Sequence, residues 1–184
     1  VKKIPNFNQI LIPQKNAQEI IRIFDGLTED VSISIEENQI AMRSGSVYLV
    51  SRTIDGSFPD YRQIIPKESL SRVVVLKQDL VSSLKTSLIF SDNFNQLKIH
   101  VSPKDKKFEI ESKNQDVGEN KEAVEAVIEG DEIGVNVNHR YFTDGFSSIS
   151  SDSLNLSFVG DGRPILIEGV GDKSFMYLLM PMNR

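Results

Sequence analysis

The chain has 184 residues, 39% hydrophobic and 26% charged, an ordinary balance for a globular protein with a real core, and long enough for one large domain or one and a half smaller ones. It contains no cysteine, which excludes disulfides and thiolate metal sites and fits a reducing cytoplasm. The net charge of −5 is unevenly spread, since residues 104–132 hold 5 Lys against 10 Asp and Glu while the remainder balances at 16 against 16, so an acidic outer surface with a basic inner one is compatible with it.

Residues 1–8 read as an irregular lead-in around Pro5. Residues 9–12 (Gln-Ile-Leu-Ile) predict a short buried strand stopped by Pro13. Asn16 then stands where a helix cap belongs, with Glu19 three residues on as its capping-box partner. Ala17, Ile20, Ile21 and Phe24 follow at helical spacing as the inward face, and Gly26 ends the helix. Lys15, Gln18 and Arg22 fall on the wet face. Three strands are expected next: Val31, Ile33 and Ile35 alternate with polar residues, 39–42 follows a turn at Asn38, and 47–52 follows Gly45.

The stretch Asp55-Gly-Ser-Phe-Pro-Asp-Tyr-Arg-Gln-Ile-Ile-Pro66 breaks this pattern. Two prolines fix their own φ and push the preceding residues towards extended geometry, which predicts a stiff, extended connector. Phe58, Tyr61, Ile64 and Ile65 are too apolar for a free loop and are expected to pack, in a docked linker or a binding surface.

After the connector the same order returns. Residues 72–76 predict a strand, Leu80, Val81, Leu84 and Leu88 one helix face, and 97–101 and 108–111 alternating strands. A polar loop over 114–120 leads to a strand over 123–128, broken by Gly130-Asp131. The order then starts a third time: a strand at 132–137, a helix face of Phe142, Phe146 and Ile149, and strands at 154–159, 165–168 and 175–180. The chain therefore reads as an α+β protein of three strand–helix–strand–strand–strand copies, with a period of roughly 60 residues. One such copy leaves an apolar face that another must cover, so three copies make one complete pair and one unpaired copy. Its mate is expected upstream, and a chain that opens with Val1 is expected to be a piece of a longer one.

Little in the chain suggests chemistry. There is no Walker loop, no Gly-x-Gly-x-x-Gly and no His-Glu-x-x-His. His139, Asp144 and Ser147 fall on one helix at spacings that do not converge on a common atom. Asp55 with Asp60, and Asp161 near Asp172, are explained as turn residues before they are metal ligands. No apolar run approaches the ~20 residues needed to span a bilayer, and no signal peptide is visible. The helix cations are nearly matched by acids, so a DNA-facing reading and a solvated surface stand level, and any DNA contact would be to the backbone and indifferent to sequence. The C-terminus is unusual, since Tyr177-Leu-Leu-Met-Pro-Met-Asn-Arg184 stays apolar nearly to its end where most termini are polar. Met180, Pro181 and Met182 suit either a buried edge-strand tail or the wall of an adaptable apolar groove.

These motifs resemble a known family. Asp55-Gly-x-Phe-Pro-Asp-Tyr-Arg with Ile-Pro close behind, Asn138-x-Arg-Tyr-x-x-Asp144, and Tyr-x-x-Met-Pro-Met near the end are similar, in order and spacing, to the bacterial DNA polymerase III beta subunits, the replicative sliding clamps. The resemblance implies a non-enzymatic, cytoplasmic, nucleoid-associated processivity factor without a cofactor: a homodimeric ring of DNA-clamp domains that encircles duplex DNA without sequence preference. It implies that 1–67 is the second half of the middle domain plus connector, and 68–184 the complete C-terminal domain. Lys15, Arg22, Lys85 and Arg140 would then face DNA. Polymerase, clamp loader and repair proteins would insert a short apolar peptide into a groove whose matching positions are Pro59, Gln63, Ile64, Pro164, Leu178, Leu179, Met180, Pro181 and Met182. Gln63 replaces a commonly basic residue, Pro164 a small polar one, and the family's Thr-Asp-Gly-His-Arg-like groove segment lies in the half domain this chain does not include. A protein-interaction module that does not encircle DNA is the alternative reading.

Overall fold

A computed structural model describes residues 10–182 in two units, Val1–Asp60 and Tyr61–Arg184. The expected lead-in and Gln9 lie outside the described residues, as do Asn183 and Arg184.

The first unit has one helix, α1 (Gln14–Phe24), and an antiparallel sheet of β1 (Ser32–Glu36), β2 (Gln39–Ser44) and β3 (Val47–Arg52), paired in that order. Gly26 ends the helix with φ +77°, a left-handed conformation that glycine adopts without steric cost. The start differs from expectation. Pro13, with φ −54°, precedes the first turn without any side-chain cap, because a residue lacking an N–H suits that position. Asn16 therefore lies inside the helix, and its amide donates to Ser51 Oγ at 2.9 Å, tying α1 to β3. Glu19 bonds Arg22 instead of closing a capping box. Of the strand expected at 9–12, the described residues 10–12 keep a single bridge, between Leu11 and Ile54. Ile21, expected inward, is 70% exposed, and Ile33 and Ile35 of β1 are exposed too. Among the described residues of this unit, Ile40 alone is a fully buried hydrophobe.

The connector is less extended than its prolines suggest, for a 3-10 turn spans Tyr61–Ile64. Phe58, Tyr61 and Ile64, expected to pack, are each more than half exposed, while Ile65 is half-buried.

In the second unit, β4 (Ser71–Leu76), α2 (Lys77–Ile89), β5 (Gln96–Ser102), β6 (Lys107–Asn114), β7 (Gly118–Val124) and β8 (Ala126–Gly130) form the first half. The second half contains β9 (Ile133–Asn138), α3 (His139–Asp144), β10 (Ser153–Phe158), β11 (Ile165–Gly169) and β12 (Asp172–Leu179). The strands form two sheets, in the orders β12-β11-β10-β4-β8 and β7-β6-β5-β9. Each half thus lends its leading strand to the other's sheet: β4 pairs with β10 and β9 with β5, both antiparallel. Alternate residues point into one shared core, including Val73, Ile99, Val137, Leu156 and Phe158, closed by Leu80 and Leu84 of α2 and Phe142 of α3. The exchange makes the halves interdependent, since neither keeps its sheet alone.

Local departures have local causes. The polar stretch at 114–120 is mostly strand, because Asn114 Oδ1 accepts the N–H groups of Asp116 and Val117 and compresses the turn. The strand expected at 123–128 is two, parted at Glu125, where the chain crosses from one sheet to the other. Leu88, expected inward, is 44% exposed near the end of α2. Helix α3 is short and gives way to a 3-10 turn over Phe146–Ser148. Asn138 caps it by accepting from Arg140 N and Tyr141 N. Among the described residues, no helix is long and apolar enough to cross a membrane.

Candidate functional site

The C-terminal tail builds the most distinctive surface of the second unit. Strand β12 pairs antiparallel with β11, with Ile165 opposite Leu179 and Leu166 opposite Leu178. Period-two alternation then separates the expected groove residues. Leu179 is 2% exposed and belongs to the core, so it anchors the strand and offers no surface. Leu178 is half-buried on the other face, and Met180 is 57% exposed. The ladder's register brings half-buried Pro164, just ahead of β11, level with Met180.

Pro181 lacks an N–H and ends the ladder. The next amide, Met182 N–H, donates to Asn136 O at 2.7 Å, so the tail leaves its own sheet and lies against β9 of the other. This echoes the first half, where the chain after β7 crosses to β4 as β8. The crossing is shorter here and leaves part of the β9 edge open. A hollow of about 330 Å³ lies there, bounded by Pro181, Met182, Gly134, Asn136, Lys98 and Asp161. Sequence reasoning identified the two tail residues and missed the other lining residues, Val135 among them. The glycine inside a strand pattern in Ile133-Gly-Val-Asn-Val137 was the available signal of a bare stretch of strand surface, since a Cβ there would meet nothing nearer than 3.9 Å.

Behind the tail, Tyr177 ties β12 to α3. Its hydroxyl donates to Tyr141 O at 2.8 Å, and its pKa is raised by burial, then by the charge of Asp144 and by Tyr141. Gly145 must stay bare here, since a Cβ would meet Tyr177 Cγ at 2.6 Å. His139 is buried, and its Nε2 donates to Leu84 O at 3.0 Å, joining α3 to α2. Burial lowers its pKa, more than the bond to Leu84 raises it, and leaves Nδ1 without a partner among the described residues. The ring is thus structural, which removes the imagined set with Asp144 and Ser147.

The other expected positions are placed as follows. Pro59 is exposed in the first unit; Gln63 and Ile64 are exposed in the 3-10 turn that opens the second. Lys15 on α1, Lys85 on α2 and Arg140 on α3 are exposed, and among the described residues no ion pair is recorded for them. Arg22 is different, because its guanidinium lies 2.6 Å from Glu19, whose hydrogen bond and charge raise its pKa. Lys77 donates to Ile149 O at 2.6 Å and is committed to the fold.

Comparison with known proteins accounts for nearly the whole described chain. Residues 62–183 match the family model "DNA polymerase III beta subunit, C-terminal domain", and residues 2–60 match "DNA polymerase III beta subunit, central domain". A beta sliding clamp of Bacillus subtilis is 29% identical over 177 residues, 95% of this chain and 47% of the relative. One from Synechococcus elongatus is 26% identical over the same shares. The solved sliding clamp of Bacillus subtilis superposes with a TM-score of 0.87 at 28% identity, over 95% of this chain and 47% of that one. The solved beta subunit of Pseudomonas aeruginosa gives 0.89 at 22% identity, over 98% and 50%, and supports the fold alone. The chain spans about half the length of the curated relatives it matches.

Proposed function

The chain belongs to the DNA polymerase III beta subunit family, and on that premise we propose that it is the C-terminal portion of a non-catalytic processivity clamp that encircles duplex DNA and holds partner proteins beside it. The observation that carries this reading is the order of the two matches, a central-domain segment followed directly by a C-terminal domain, over a fold of paired helix-and-sheet repeats. The first unit, with its exposed β1 and sparsely buried α1, is the second half of the middle domain, and the half that completes it precedes it in the longer protein.

The mechanism is topological. A closed ring of two subunits keeps the polymerase on its template, while phosphate contacts from Lys15, Lys85 and Arg140 stay loose and salt-sensitive, so that the ring slides. Partners are held through Leu178, Met180, Pro181 and Met182 of the tail, with Pro164 beside them and Gln63 and Ile64 contributed by the 3-10 turn that opens the same unit. Two methionines suit this task, because their flexible thioethers re-pack around varied apolar side chains.

The test uses the full-length protein, loaded on closed circular DNA that is then cut. A clamp stays on the circle and is lost from the linear product. Equal retention on both forms would favour an interaction module that does not encircle DNA.

A further inference from the structure

The hollow at Pro181 and Met182 continues into a larger concavity. A trough of about 540 Å³ crosses the outer face of the four-stranded sheet, and Lys98 and Asn136 line both spaces. The trough runs from β9 over β5 to β6, towards Lys113 and the turn at Asn114–Asp116. Its floor is polar, and Phe94, 71% exposed, stands on its wall.

The charges in it are unequally paired. Lys98 lies 3.8 Å from Glu111, and Lys113 turns to Glu119 at 3.4 Å. Asp92, Asp116 and Asp161 have no basic partner among the described residues. Asp92 is held in place, since its Oδ1 accepts the N–H groups of Phe94 and Gln96. The space that begins at the partner-binding tail is therefore open, extended and short of positive charge.

We propose that this trough receives the basic residues that flank the apolar motif of a partner peptide. The proposal rests on the peptide-binding reading of the tail and extends it to a second contact. Crossing three strands spaced about 4.8 Å apart takes roughly 10 Å, which three or four extended residues cover. A Lys or Arg on such a flank reaches Asp116 and Asp92 with its charge and lays its alkyl stem against Phe94. The contact supplies selectivity among partners sharing similar apolar motifs, with modest added affinity because its charges are solvated.

The experiment compares two labelled peptides on the full-length protein by fluorescence anisotropy at low salt. Both carry the same Leu- and Phe-containing core, one with Gly-Ser flanks and one with Lys-containing flanks at both ends. The basic peptide should bind about three- to tenfold more tightly, the scale of two exposed ion pairs. In an Asp92→Asn, Asp116→Asn double variant that advantage should fall to near unity, with the neutral peptide bound as before. An advantage that survives the double variant, or is lost equally with Glu125→Gln and Glu129→Gln elsewhere on the acidic surface, would overturn the proposal. So would self-association of the protein that the double variant abolishes, with no flank effect, since a second copy would then be the occupant. Failure of both peptides to bind would refute the groove reading itself.

Discussion

Met182 and Asn136 lie 46 residues apart in the chain, yet the amide of the first donates to the carbonyl of the second at 2.7 Å. That bond holds the tail across the gap between two sheets and presents Met180 to solvent, with half-buried Pro181 beside it.

Partner binding should depend on those side chains and the fold should not. Met180→Ala with Met182→Ala should weaken binding of a short Leu- and Phe-containing peptide roughly tenfold or more, measured by anisotropy or calorimetry. Burying one Leu and one Phe is worth roughly 3–6 kcal/mol before ordering costs, so the unmodified site should bind in the micromolar range. Because Met180 is exposed and Met182 half-buried, the melting temperature should barely move. Unchanged peptide affinity would sink the assignment of the tail.

The close approach of α3 and β12 should tolerate no side chain at Gly145. Gly145→Ala places a methyl 2.6 Å from Tyr177 Cγ, and overpacking of this kind costs about 1–3 kcal/mol. The expected result is a melting temperature lower by several degrees, and weaker peptide binding as Tyr177 and β12 shift. A variant as stable as the parent would show that the ring relocates freely.

Acid should loosen the second unit through His139. Its folded pKa is below its ordinary value, so the unfolded state takes up the proton first. Stability from this group is full above the ordinary histidine pKa of about 6.5 and is lost as pH falls from there through the depressed folded value, with a slope of at most about 1.4 kcal/mol per pH unit. Urea unfolding at pH 7.5 and 5.5 should show that loss, and His139→Gln should flatten it while lowering stability at both values. An identical pH profile in the variant would clear His139 of the effect.

The helix cations should not be equivalent on DNA. In the full-length protein, Arg140→Ala and Lys85→Ala should each shorten residence on circular DNA and lower its salt dependence by about one phosphate contact. Arg22→Ala should do less, because Glu19 already engages the guanidinium. Glu19→Gln should lengthen residence. Retention on circular DNA over a salt series distinguishes these outcomes, and equal effects at all three cations would reject the ranking.

Local physics made much of this protein legible in its sequence. Alternation and 3.6-residue spacing determined the strand–helix–strand order of the second and third copies and the helix and three strands of the first, and Gly26 and Pro181 their stops, because these depend on each residue's own backbone and its near neighbours. The connector and Met-Pro-Met motifs carried the family resemblance and hence the tail as a candidate surface.

Only the tertiary structure decided which partners each element would take. Nothing near β4 or β9 in the chain says that each joins the other half's sheet, since strand pairing is a contest among distant segments. The same exchange puts Gly134 and Asn136 beside the tail, and the register with β11 turns Leu179 inward while its neighbours stay outward. Asn16 shows the rule at one residue: alone it would cap a helix, but Ser51 stands within reach and Pro13 already starts the turn. Sequence determined the pieces and their faces; the competition for hydrogen bonds and burial between distant pieces decided the site.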